Sequence, residues 1–215
     1  MTTSSTQPDR PDVPGPIDPA ASLDALESQQ RRTVRGLTPS PLGLYLPWGL
    51  GYVVAFGAAW LASGPDAVVS GTVAAVLIAV AALIPLVGSA VTLSRSGRGL
   101  AGPSRRVGAM YGWSWILGFV ALTLINLRLS AAGLPPETMS LLWSGDALVL
   151  VGVLFLAGGL LWPGSGQYVL GVWILVSAVV AVLVGYPSNF LVLALLGGGG
   201  LVVTAVVMHH RLGRA

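Results

Sequence analysis

A chain of 215 residues with 54% hydrophobic and 9% charged residues and a mean hydropathy of +0.80 is too apolar for a water-soluble domain, where about a quarter of residues are charged. The net charge of +3 does not point to nucleic acid, because the basic residues are all Arg, mostly beside apolar stretches, and no basic stretch interleaves with aromatics on a soluble fold. Cys is absent, which excludes disulfides, thiolate metal sites and cysteine nucleophiles.

Residues 1–19 are rich in Ser, Thr, Pro and Asp, have almost nothing to bury, and are expected to form a disordered cytoplasmic tail. No signal peptide is expected, since a basic n-region and an apolar h-region are both missing. Asp18 and Pro19 suit an N-cap and a first helical position. Residues 20–38 then predict an amphipathic juxtamembrane helix with Leu23, Leu26, Val34 and Leu37 on one face and Glu27 one turn before Arg31. That helix serves either as an interfacial anchor or as a docking element for a partner, and three Arg beside lipid phosphate favour the anchor.

Residues 39–215 predict a six-span transmembrane domain, an all-α bundle of three consecutive helical hairpins. The first span runs from Pro47 to about Ala62 and turns at Gly64, Pro65 and Asp66. The second covers about Ser70 to Leu93, with Pro85 expected to kink it. The third begins at Tyr111, Trp113 and Trp115 and ends near Arg128, before a loop containing Pro135, Pro136 and Glu137. The fourth runs from about Ser140 to Leu161 and stops at Trp162, Pro163 and Gly164. Spans five and six, about Tyr168–Gly185 and Phe190–Met208, are joined by a turn at Tyr186, Pro187, Ser188 and Asn189. Arg31, Arg32 and Arg35, then Arg95, Arg98, Arg105 and Arg106, then Arg211 and Arg214 fall at alternate junctions. Six crossings put them all on one face, which the positive-inside rule makes cytoplasmic, together with both termini.

A weak period of about sixty residues places Pro47-Trp48-Gly49, Gly112-Trp113 and Gly171-Val172-Trp173 at corresponding positions, as duplication of a hairpin would. Trp and Gly are also common at interfaces and in helix packing without any duplication. Gly197, Gly198, Gly199 and Gly200 occupy the middle of the last span, where each Gly costs about 1 kcal/mol relative to Ala in a soluble helix. Close helix approach would offset that, with Gly158, Gly159 and Gly57 as partner surfaces. The alternative is a broken helix whose freed carbonyls bind a ligand, and the lack of polar side chains beside the glycines favours packing.

Polar groups at membrane depth are few. Asn126 and Arg128 near the end of span three face Asp146 in span four, and an Arg128–Asp146 pair would satisfy both charges while Asn126 bonds a neighbouring backbone. Snorkelling of each to the interface, or a role as a gate, are the alternatives. His209 and His210 close the sixth span, but adjacent helical residues point about 100° apart, so they do not share one metal. No metal site, no cofactor site and no catalytic constellation is expected, and the chain is not expected to be an enzyme.

The stretch Ala25-Leu26-Glu27-Ser28-Gln29-Gln30-Arg31-Arg32, then Trp48-Gly49, Met110-Tyr111-Gly112-Trp113-Ser114-Trp115, Gly171-Val172-Trp173-Ile174-Leu175 and the four-glycine run resemble an uncharacterised group of actinobacterial six-span integral membrane proteins. Members are often loosely labelled transporters or permeases, so the resemblance implies the architecture and carries over no ligand or catalytic residue. Gly and aromatic spacing also resembles small six-span stress-associated membrane proteins. The expected function is a transport-associated component of the inner membrane, a small permease or a subunit of a transport complex. The alternative is a non-transporting membrane organiser or stress-response protein acting through helix–helix self-association. Lipid and a membrane-protein partner or second copy are the expected contacts.

Overall fold

A proline at the first position of a helix loses nothing, because that N–H has no acceptor within the helix and the ring presets its backbone angle. Three helices of the computed structural model of the protein start this way. They are α1 (Pro41–Leu61), α3 (Pro103–Ala131) and α4 (Pro136–Leu161). Between and after them lie α2 (Gly71–Ser96), α5 (Gln167–Val184) and a composite last span. That span comprises α6 (Ser188–Val192), a π-helical segment (Leu193–Gly198) and α7 (Gly199–Arg214). The structure describes residues 23, 41–96, 103–162 and 166–214. All of these but Leu23 belong to the second of two units, Pro39–Ala215.

The chain is all-α, without a strand among the described residues, and six helical segments are long and apolar enough to cross a membrane. Several ends differ from the expected ones. The first span starts at Pro41, so Pro47 lies inside it. The fourth starts at Pro136, so the Pro135, Pro136 and Glu137 stretch is a helix start and not a loop. Glu137 sits in the first turn, where the helix dipole favours an acid. The amphipathic helix expected over 20–38 lies outside the described residues apart from Leu23, which is helical. The disordered tail expected over 1–19, and Arg31, Arg32, Arg35 and Arg98, lie wholly outside them.

Packing follows the positions where a side chain is missing. In α4 and α5, Gly152 and Gly171 face each other, and a Cβ on Gly171 would lie 2.8 Å from the Gly152 carbonyl oxygen. Gly159 continues this antiparallel crossing, since its Cβ would meet the Tyr168 backbone nitrogen at 2.5 Å. Between α1 and α2, a Cβ on Gly51 would lie 2.5 Å from the Ala81 carbonyl oxygen, and Trp48 Nε1 donates to Ser89 Oγ at 2.8 Å. Between α1 and the last span, Gly49 and Gly198 form a reciprocal crossing. The core around these seams is built from Tyr45, Leu148, Leu170, Ile174, Leu193 and Ala205. Helix α2 packs chiefly on α1, and α3 chiefly on α4, with their outer faces of Val76, Ile84, Leu117 and Leu124 exposed. The first hairpin packs on itself, α2 on α1, whereas α4 packs more extensively on α5 than on its own hairpin partner α3.

Candidate functional site

Helix α3 lies antiparallel to α4 and meets it at three levels. Tyr111 Oη donates to the Leu154 carbonyl at 2.8 Å, Gly118 makes room for Leu150, and Asn126 Nδ2 donates to Asp146 Oδ2 at 2.8 Å. Asn126 is completely buried, and neither its Oδ1 nor Asp146 Oδ1 has a donor, although both atoms are buried. With α4 beginning at Pro136, Asp146 lies about 15 Å along a 26-residue helix and not near its start. Among the described residues the acids are Asp66, Glu137 and Asp146, and of these only Asp146 occupies the interior of a membrane-competent span.

The expected Arg128–Asp146 pair does not form. Arg128 is exposed, and no ion pair joins it to Asp146. Two helical positions are about 200° apart, so Asn126 and Arg128 cannot both face α4. The inward position goes to the uncharged amide, which needs only hydrogen bonds, while the guanidinium keeps its solvation by pointing outward.

On another face of α4 lies a cavity of about 470 Å³ bounded by Phe56, Ser130, Leu134, Met139, Ser140, Trp143, Ser144 and Phe190. Ser144 anchors this wall: its Oγ donates to the Ser140 carbonyl at 2.7 Å and accepts from Asn189 Nδ2 at 3.2 Å. Asn189, expected to be only a turn residue, is completely buried, and its Oδ1 lacks a donor. A second cavity of about 280 Å³ lies between α1 and α2, walled by Trp48, Tyr52, Ile78 and Ala81, and shares Phe56 and Phe190 with the first. The rings of Trp48, Tyr52, Phe56 and Phe190 form an edge-to-face and stacked series along α1, with neighbouring centroids 5.4–6.5 Å apart. An aromatic wall with a few hydroxyls suits a small amphipathic molecule.

The four glycines occupy the junction of the π-helical segment and α7, so the helix widens rather than breaks. Trp173 Nε1 donates to the Leu196 carbonyl at 2.8 Å, and Gly200 leaves room for the same indole. Gly198 packs on Gly49 and Val53 of α1. Gly197 has only an ordinary contact with Tyr52, and Gly199 has open space. Expected partners also change. Gly57 has nothing within 4 Å, whereas Gly158 accommodates Tyr111 Oη and Gln167 Oε1, and Gly159 accommodates Tyr168. They pack within the α3–α4–α5 region rather than against the last span.

The tryptophans of the sixty-residue period have three different environments. Trp48 bonds Ser89, Trp173 bonds Leu196, and Trp113 is 60% exposed without such a partner. His209 and His210 are exposed with ring centroids 6.1 Å apart. Among the described residues no three His, Cys, Asp or Glu side chains gather. Arg105 and Arg106 lie in the first turns of α3 and are exposed; Arg95, Arg211 and Arg214 lie on helices. No protein-family model, curated protein or solved structure matches the chain.

Proposed function

We propose that this multi-pass membrane protein is a transport-associated component of the cell's inner membrane, either a small permease or the membrane subunit of a larger transport assembly, with both termini cytoplasmic. The observation carrying this reading is the open-sided pocket bounded by Phe56, Trp143 and Phe190, with Ser130, Ser140 and Ser144 as its polar groups, among membrane-competent helices. Its mixture of rings and hydroxyls favours an amphipathic solute over a hydrated ion. Arg at alternate junctions supports the orientation. The resemblance to the actinobacterial six-span group accords with it.

The test is flux in proteoliposomes across a panel of ions and amphipathic drugs. Saturable flux is expected, and Trp143→Ala should weaken its concentration dependence. A second reading, an organiser working through self-association, draws on Gly108 and Gly112, one turn apart on α3 with nothing within 4 Å of either. A stable oligomer in detergent and lipid, with no flux for any solute in the panel, would favour that reading and count against transport.

A further inference from the structure

We infer that the pocket at Trp143 and the groove between α1 and α2 hold one uncharged lipid, its head in the pocket and one apolar chain in the groove. This names the solute class of the proposed transport reading, on whose pocket it rests. Gly51, Ala55 and Ala59 recur every fourth residue on α1, so they share one helix face and floor the groove, with Trp48, Tyr52 and Ile78 beside them. From Gly51 to Ala59 that floor runs about 12 Å, close to the ~15 Å that one leaflet contributes to a hydrocarbon core of about 30 Å. The groove lining is almost wholly carbon, and the Trp48 indole N–H is already bonded to Ser89 Oγ. Such a lining suits an extended hydrocarbon chain and offers nothing to a polar solute.

The groove and the pocket meet at Phe56 and Phe190, whose stacked rings line both, with centroids 6.5 Å apart. Phe56 lies towards the C-terminal end of α1, and from it the pocket reaches Ser130, Leu134 and Pro136 at the α3–α4 junction. A head at a junction between spans and a chain running along α1 into the span is the orientation of a bilayer lipid. Ser130 and Trp143 each carry a donor that no other described residue accepts from, whereas the Ser140 and Ser144 hydroxyls donate to backbone carbonyls. Two free donors match a head with ester carbonyls or hydroxyls. A phosphate calls for Arg or Lys, and neither pocket is lined by a charged side chain. Arg128, two residues before Ser130, points about 200° away from it around α3.

Photo-cross-linking of the full chain in phosphatidylcholine vesicles, with a trace of diacylglycerol carrying a diazirine on one acyl chain, tests the inference. The label should map to the α1 and α2 residues of the groove, and unlabelled diacylglycerol should compete several-fold better than phosphatidylglycerol. Ala82→Phe, which fills the groove from an exposed position, should abolish this labelling, whereas Val80→Phe, exposed on α2 outside the groove, should not. Ser130→Ala and Trp143→Phe each remove one donor and should each weaken the competition by diacylglycerol about fivefold. Mapping on the unsubstituted protein stands even if a variant folds poorly. Labelling spread over the outer helix faces, or equal competition by the two lipids, means annular lipid only and overturns the inference. Competable groove labelling in a protein that moves no solute keeps the inference while counting against transport. Saturable flux without that labelling overturns the inference and leaves transport standing.

Discussion

Gly198→Ala should destabilise the bundle, whereas Gly199→Ala should not, although the two residues are adjacent. At Gly198 an added Cβ would lie 2.7 Å from Val53 Cγ2, 2.9 Å from the Gly49 carbonyl oxygen and 3.0 Å from the Val53 nitrogen. Two of those atoms are backbone and cannot rotate aside, so α1 and the last span must separate along the crossing. Overpacking of this kind costs about 1–3 kcal/mol. At Gly199 nothing lies within 4 Å, and in water Ala is favoured over Gly in a helix by about 1 kcal/mol. The two variants should therefore differ by about 2–4 kcal/mol in thermal unfolding followed by tryptophan fluorescence in detergent. Gly49→Ala should resemble Gly198→Ala, and the double variant should lose less than the sum, since both strain one contact. Equal stability of the Gly198 and Gly199 variants would refute the crossing as the reason for the glycines.

Arg128→Ala should change stability by no more than about 0.5 kcal/mol, while Asn126→Ala, which removes the amide partner of Asp146, should cost about 1–3 kcal/mol in the same unfolding measurement. A loss at Arg128 as large as that at Asn126 would restore the ion pair. Trp173→Phe should destabilise by about 1 kcal/mol or more, because the Leu196 carbonyl loses its indole donor at the widened turn. Unchanged stability would mean that this carbonyl finds another donor.

The six spans were legible because lipid as solvent leaves a simple mark: long apolar runs separated by short junctions, with Arg at alternate ones. Boundaries were less legible where one residue type serves two ends. Pro135-Pro136-Glu137 fits a turn and equally fits a helix start, and only the backbone decides. Gly198 and Gly200 lie against neighbouring side chains, but a helix turns about 100° per residue, so four consecutive glycines cannot all face a neighbour. Matching charges points to Arg128 as the partner of Asp146, whereas the amide of Asn126 occupies that place. The spacing itself held the correction, because an inward Arg128 would turn Asn126 to the opposite side. Asn189 gave no separate signal, since Asn after Pro and Ser reads as turn chemistry whether or not its side chain is buried.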